Sequence, residues 1–321
     1  MQWVVYGAGA VGGVLGGRLH AAGHDVVLVA RGDHLRALRA DGLTIASPEG
    51  TRTHAVPATD GAADLDLSTP TVVLLAVKSH QTPAAVEHLT GVVDAGTPVV
   101  CVQNGVANEP FLLRFYADVQ GVCVIMPTGH LEPGVVEQHS SPVPGILDVG
   151  SFPGGANATT AEVVAAFRSA GFESEPRSDV MAWKYRKLMN NLTNAVQACS
   201  GDGPDTRRLS DRVLAEGEAV LAAAGIPVVS AEAHRARRKG ILKLGEVRGR
   251  ARAGDSSWQS LRRGTGSIES DYLNGEVALL GRLHGVPTPA NELLRVTAQR
   301  MARQGEPPGS VPAGELLRAL S

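Results

Sequence analysis

Residues 2–6 form an apolar run and residues 10–22 a helical pattern, and between them Gly7, Gly9 and Gly12 stand as GxGxxG. A strand that turns straight into a helix through this spacing constrains the fold more than any other feature of the chain. The first glycine permits a tight turn, the second lets backbone N–H groups approach a pyrophosphate, and the third lets helix and strand pack closely. The turn Gly7, Ala8, Gly9, Ala10, Val11 and Gly12 therefore reads as a dinucleotide-binding turn opening a βαβ unit. The bland alternative is a tight turn that binds nothing.

The pattern that follows extends the series. Apolar runs recur at residues 25–30, 71–77, 98–102 and 120–126 without inside/outside alternation, as parallel strands covered on both faces would. Helical segments lie between them at residues 33–40, 81–89 and 109–116. Residues 43–46 and 51–56, joined through Ser47, Pro48, Glu49 and Gly50, predict a hairpin, residues 145–150 a closing strand, and residues 160–170 a last helix. From about residue 178 strand-like runs disappear, and helical patterns cover residues 180–199, 211–224, 231–245, 268–284 and 292–303. The expected fold is α/β: an N-terminal Rossmann-type parallel-sheet domain over residues 1–175, then an all-α C-terminal domain over residues 176–321. A length of 321 residues suits two domains. The stretch 304–321 reads as either a mobile tail or a docking arm.

Composition removes several function classes. Thirty Lys and Arg against 32 Asp and Glu give a net charge of −2, and aromatic residues are 4% of the chain, so neither a basic footprint nor stacking platforms for nucleic acid are present. No apolar stretch reaches 18 residues, and the N-terminus lacks a basic leader, so the expectation is a cytoplasmic protein without a membrane partner. Cys101, Cys123 and Cys199 include no CxxC and read as reduced core thiols, with no metal set. The oligomeric state is not fixed by the sequence, and a homodimer is compatible with it.

The residues at the ends of the apolar runs suggest which dinucleotide binds. The second run ends in Arg31 where a domain selecting NAD usually carries an acid, so NADP(H) is preferred, while Asp33 leaves NAD open. Lys78 and Gln81 follow the 71–77 run and Asn104 the 98–102 run. Polar groups at adjacent strand ends suit a nicotinamide ribose or its substrate. In the second half Lys187, Asn191 and Asn194 are spaced four and three apart on a largely apolar helix and share one face. A further cluster holds Asp255, Ser256, Ser257, Glu269 and Asp271, where capping alone is an equal explanation.

Taken in order, these pieces resemble the ketopantoate reductase family: GxGxxG, Lys78 in AVKSHQT, Asn104 in VQNG, Lys187 in KLMNNLTNA, the pair Ser256 and Ser257, then SIESDYLNG and HGVPTPAN. The match spans nearly the whole chain. The resemblance implies a Rossmann domain followed by a helical domain with the active site in the cleft between them, and NADPH-dependent reduction of a small 2-keto acid. It implies that Lys187 is the general acid and that Glu269 holds the substrate hydroxyl and orients the lysine. By the same resemblance Ser257 touches the substrate carboxylate, Asn191 and Asn194 line the pocket, and Asn104 bridges cofactor and substrate. Arg31, Lys78 and Gln81 resemble cofactor contacts. A ketone gaining hydride needs a proton donor within hydrogen-bond reach, and a lysine also stabilises charge forming on oxygen.

The departures lie on the substrate side. The family's two helix asparagines are usually four apart; here Asn191 and Asn194 are three apart, Asn190 would restore four, and Lys184 is a rival proton donor. Gly254 stands where an Asn is often found, Trp258 where Met is common, and Ser260 where an Asp follows. Two alternatives therefore remain beside the leading reading: a sibling dehydrogenase for another oxo or hydroxy acid, and a non-catalytic NADP(H)-binding sensor.

Overall fold

Apolar runs without alternation become the strands of one sheet covered on both faces. In the computed structural model, which describes residues 1–264 and 266–321, the chain begins with β1 (Gln2–Tyr6), α1 (Ala10–Ala21), β2 (Asp25–Val29), α2 (Gly32–Asp41), β3 (Leu43–Ser47), β4 (Gly50–His54) and β5 (Ala58–Thr59). It continues through β6 (Thr71–Leu75), α3 (Thr82–Thr90), β7 (Val99–Cys101), α4 (Asn108–Leu112), β8 (Val119–Ile125), β9 (Thr128–Gly129), β10 (Val135–Gln138), β11 (Ile146–Ser151) and α5 (Ala158–Ser169). The remainder is helical: α6 (Val180–Ser200), α7 (Pro204–Ala223), α8 (Ala231–Arg238), α9 (Ser256–Arg263), α10 (Asn274–His284), α11 (Pro289–Gln304) and α12 (Ala313–Arg318). Two compact units result: Met1–Asn104, Asn108–Lys184 and Ala231–Arg252 form one, and Gly105–Ala107, Tyr185–Ser230 and Ala253–Ser321 the other.

The sheet of the first unit runs β11-β8-β7-β6-β1-β2-β5, parallel except for β11 against β8. From β1 the chain steps outward to β2 and β5, then returns to β6 on the other side of β1. Ligands of open α/β sheets bind beyond the carboxyl ends of the strands at such a reversal. Tyr6 lies in register with Leu75, so the turns starting at Gly7 and Ala76 abut.

The expected hairpin forms, with Ser47 opposite Gly50 across β3 and β4. It joins β10 and β9 in a second sheet ordered β4-β3-β10-β9. Helix α1 packs against both sheets because its glycines leave room. A Cβ on Gly16 would meet Leu28 at 2.5 Å, on Gly13 Val136 at 2.7 Å, and on Gly17 Ile45 at 2.7 Å. Much of the glycine excess near the N-terminus is thus layer spacing rather than ligand binding.

Residues 231–252 join the first unit through buried Asp148. Arg237 of α8 forks onto its carboxylate at 2.8 and 3.0 Å, and Arg177 adds a bond at 3.0 Å. Beyond α8, Ser141 N–H donates to Lys243 O and Gly245 N–H to His139 O. The helix expected over 231–245 therefore stops at Arg238; Gly240, at φ +78°, turns the chain into that extended pairing.

In the second unit, α7, α10 and α11 pack together, α9 and the turn Glu269–Tyr272 lie against α11, and α12 lies against α7. Leu188, Leu192 and Val196 of α6 and Leu209, Val213, Val277, Leu294, Ala298 and Met301 are buried there. The stretch after residue 304 docks: Gly309 N–H donates to Ala198 O and Val311 N–H to Cys199 O, both at 2.9 Å. Helix α9, which the apolar pattern does not announce, starts at Asp255, whose carboxylate accepts the N–H groups of Ser257 and Trp258 at 2.9 Å. The architecture is α/β with a Rossmann-type, mainly parallel sheet followed by an all-helical C-terminal region, as expected. Among the described residues no helix is long and apolar enough to cross a membrane.

Candidate active site

The glycine turn has the shape a pyrophosphate needs. Gly7 sits at φ +106°, and a Cβ there would strike Val77 at 2.8 Å, while a Cβ on Gly12 would run into Gly7 O. Gly9 differs, since a Cβ there would meet nothing within 4 Å. That open space lies at the N-terminus of α1, where Gly9 is the N-cap, no side chain caps the helix and no acid occupies its first turn. The first-turn N–H groups of Ala10, Val11 and Gly12 suit an anion there. His34 steadies the turn, its Nε2 donating to Ala8 O at 2.8 Å while Nδ1 accepts from Gly134 N–H at 2.9 Å. Burial lowers the His34 pKa below its ordinary value, against a smaller raising effect of the Ala8 hydrogen bond.

Arg31 is the N-cap of α2, directly beyond β2. Its Nη2 lies 2.8 Å from His88 Nδ1 and 3.5 Å from Tyr6 OH. Asp33, which left NAD open, is instead ion-paired with Arg36 on the surface. Lys78 and Gln81 form one short turn in which Lys78 N–H donates to Gln81 Oε1 at 3.1 Å and Gln81 N–H to Lys78 O at 2.8 Å.

A buried polar network ties this turn to the one carrying Asn104. Gln103 Nε2 donates to Val77 O and to Thr82 Oγ1, each at 2.9 Å; Thr82 Oγ1 donates to Asn108 Oδ1 at 2.9 Å; Asn108 Nδ2 donates to Ser79 Oγ at 3.1 Å. The side chains of Gln103, Thr82, Asn108 and Ser79 are all buried, so their mutual bonds fix both loops. Among the described residues Asn104 Oδ1 is buried without a hydrogen-bond partner. An orphaned acceptor beyond the carboxyl end of β7, on the same edge of the sheet as the glycine turn, fits a bound dinucleotide or its substrate.

Lys184 and Lys187 are distinguished by their surroundings. Lys184 is 2% exposed, and its ammonium contacts Gln103 O at 2.8 Å, Val122 O at 3.1 Å and Glu109 Oε1 at 2.8 Å. Two carbonyls accept its N–H groups and Glu109 pairs with its charge, so the ammonium faces oxygens of its own unit. Glu109 is fully buried beside Cys101, whose thiol pKa is held well above its ordinary value first by burial and then by the Glu109 charge. Neither Glu109 nor the Thr82–Asn108 link stood out in the sequence. An acid within an apolar segment four residues after VQNG was the one available signal.

Within the second unit, Lys187, Asn191 and Asn194 follow one another along α6; Asn191 is buried, Lys187 and Asn194 are half-buried, and Asn190 is exposed. Ser257 is buried in the first turn of α9, and Glu269 is buried at the start of its short turn, close enough to Arg263 for its charge to oppose the fall that burial imposes on the guanidinium pKa. Both turns are fastened to α6. Gln197 Oε1 accepts Asp255 N–H at 3.1 Å, and Asn274 Nδ2 donates to Leu192 O at 3.1 Å. Asn274 also donates to Asn291 Oδ1 at 3.0 Å, and Asn291 Nδ2 donates to Val213 O at 3.0 Å and Glu216 Oε2 at 2.8 Å. The asparagines of SIESDYLNG and HGVPTPAN thus brace the framework.

Two of the departures from the family pattern prove to be connected. Gly254 adopts φ +60°, and a Cβ on it would meet the Trp258 ring at 2.5 Å, so the indole lies where an Asn side chain would stand. Ser260 Oγ donates to Ser256 O at 2.9 Å, within its own helix.

Comparison with known proteins identifies the family. The family model described as "Ketopantoate reductase PanE/ApbA" matches residues 3–154, and "Ketopantoate reductase PanE/ApbA C terminal" matches residues 179–301. The 2-dehydropantoate 2-reductase of Pyrococcus horikoshii is 28% identical over 303 residues, covering 92% of this chain and 95% of that protein. The Halobacterium salinarum protein of the same name is 29% identical over 321 residues, covering 95% and 100%. The crystal structure of a PanE/ApbA family ketopantoate reductase from Ralstonia eutropha JMP134 has a TM-score of 0.80 at 28% identity, covering 95% of this chain and 100% of that one. D-mandelate dehydrogenase, solved with NADH and anilino(oxo)acetate, shares the fold at a TM-score of 0.81 and 19% identity. With both family models matched in order along most of its length, the chain belongs to the ketopantoate reductase PanE/ApbA family and is an oxidoreductase.

Proposed function

We propose that the protein uses NADPH to reduce a small 2-keto acid, 2-dehydropantoate or a near relative, to the 2-hydroxy acid. The observation that carries this reading is the open cradle at Gly9, flanked by Arg31 beyond β2 and by the orphaned Asn104 Oδ1 beyond β7. Gly7 to Gly12 hold the pyrophosphate on the α1 N-terminus, Arg31 pairs with the 2′-phosphate, and Lys78, Gln81 and Asn104 contact the remainder of the dinucleotide. The bound dinucleotide supplies the hydride.

Lys187 donates the proton to the developing alkoxide. Two facts support it over Lys184: the buried ammonium of Lys184 donates to Gln103 O and Val122 O and is ion-paired with Glu109, and Lys187 shares its helix face with Asn191 and Asn194. Glu269 holds the substrate hydroxyl and orients the lysine, Ser257 takes the carboxylate, and Asn191 and Asn194 line the pocket, with Asn104 contacting both cofactor and substrate. A sibling specificity, for another 2-oxo acid, is favoured by Trp258 resting on Gly254. NADPH oxidation with a panel of 2-keto acids tests both. Lys187→Ala should lose about 10²- to 10⁴-fold in kcat. Unchanged turnover would remove Lys187 from the chemistry, and a tight NADPH complex that turns over no keto acid would mark a sensor.

A further inference from the structure

We propose that His88 is a specificity-determining positioning residue that holds the Arg31 guanidinium in place to receive the 2′-phosphate of NADP(H). This rests on the reading that Arg31 recognises that phosphate. His88 lies in the last turn of α3, whose Ala85, Val86 and Leu89 are buried in one apolar cluster with Tyr6 and Val29. Burying that face leaves His88 at the helix end, beside the carboxyl ends of β1 and β2. There His88 Nδ1 lies 2.8 Å from Arg31 Nη2 and 3.1 Å from Tyr6 OH, and Arg31 Nη2 lies 3.5 Å from the same hydroxyl.

The chemistry fixes the roles. A guanidinium only donates, so Nδ1 is the acceptor in this contact. The Tyr6 hydroxyl oxygen, 3.5 Å from Nη2, is a second acceptor for it. The two N–H groups of Nη2 are thereby engaged. Among the described residues no hydrogen bond occupies Nε or Nη1, and the rest of the fork stays available for phosphate oxygens. The exposed end of a long side chain would otherwise sample many rotamers, and the contact with α3 removes part of that freedom before the ligand arrives. The dipole at the C-terminal end of α3 favours a cation there as well.

The test uses the full-length protein and two probes, adenosine 2′,5′-bisphosphate and 5′-AMP, whose Kd ratio isolates the 2′-phosphate. Wild type should prefer the bisphosphate, and Arg31→Ala should abolish the preference. His88→Ala should lower the ratio about tenfold with 5′-AMP affinity unchanged. His88→Asn, whose Oδ1 stands where Nδ1 was, should restore most of it. In the double variant Arg31→Ala/His88→Ala, the loss should equal that of Arg31→Ala alone. A His88→Ala protein with the wild-type ratio overturns the proposal while leaving the Arg31 reading intact, and additive losses overturn it by showing that His88 binds the phosphate itself. A wild-type ratio near one, or one that Arg31→Ala does not change, overturns the Arg31 reading and the proposal with it.

Discussion

The substitution Lys184→Met removes the cation that is ion-paired with Glu109. The methionine keeps the length of the stem, so packing changes little, whereas Gln103 O and Val122 O each lose a donor at 2.8 and 3.1 Å and Glu109 loses its counter-charge at 2.8 Å. With side chains 2% and 0% exposed, no water replaces the ammonium. Removing one partner of a buried pair typically costs about 3–5 kcal/mol, a large share of the ~5–15 kcal/mol that stabilises a domain. Glu109→Gln in the same background leaves no unpaired charge, so the double variant should be more stable than the sum of the single losses by about 2 kcal/mol or more. Urea unfolding followed by the fluorescence of Trp3 and Trp183 reads the effect; both are buried in the same unit as the pair. A Lys184→Met protein within about 1 kcal/mol of wild type, or single losses that simply add, would refute the account of a closed, desolvated pair. Turnover supplies the second check. Lys184→Met should act on stability and on cofactor KM, through the Gln103–Asn104 loop, and a variant that is stable yet devoid of activity would make Lys184 the proton donor after all.

His34 gives a pH dependence of defined sign. Its pKa in the fold is lowered, so the unfolded chain takes up a proton first as pH falls below about 6.5, and stability should decline there; urea midpoints at pH 7.5 and 5.5 should differ more in wild type than in His34→Gln. Gly254→Ala combines a left-handed backbone position with a Cβ meeting the Trp258 ring, and should cost about 2 kcal/mol or more in thermal melts. Adding Trp258→Met should recover the steric part of that loss and leave the backbone part.

The sheet was legible because its strands are covered on both faces. Trp3 to Tyr6 and Val72 to Leu75 carry unbroken apolar sequence, and that pattern has no other comfortable home. The glycine turn was legible for a related reason, since a strand, a helix and a phosphate cradle impose their demands within six residues. Longer-range features left weaker marks. The engagement of Lys184 with Glu109, 75 positions earlier, is invisible to periodicity, and so is the network joining Gln103, Thr82, Asn108 and Ser79. Residues 231–245 read as one helix because Arg, Lys and Ala are good helix formers. Asp148 claims Arg237, and the chain beyond Gly240 pairs with residues 139–141, so tertiary partners prevail over propensity.

The pair of lysines on α6 shows why a helix pattern alone stops short of chemistry. Lys184 and Lys187 are three residues apart and thus near neighbours on one face, and spacing gives no reason to choose between them. What separates them lies elsewhere in the chain. Gln103, two residues beyond β7, and Val122, in the middle of β8, direct carbonyls at one ammonium, and α4 brings a buried carboxylate to the same point. We read a lysine so enclosed as a strut, since its charge faces a buried carboxylate. Lys187 is half-buried and follows the boundary residue of the first unit, in the segment that carries Asn191 and Asn194. On this reading the same helix bears a structural lysine and the candidate proton donor within one turn, distinguished by the acceptors that the Gln103 loop, β8 and α4 contribute.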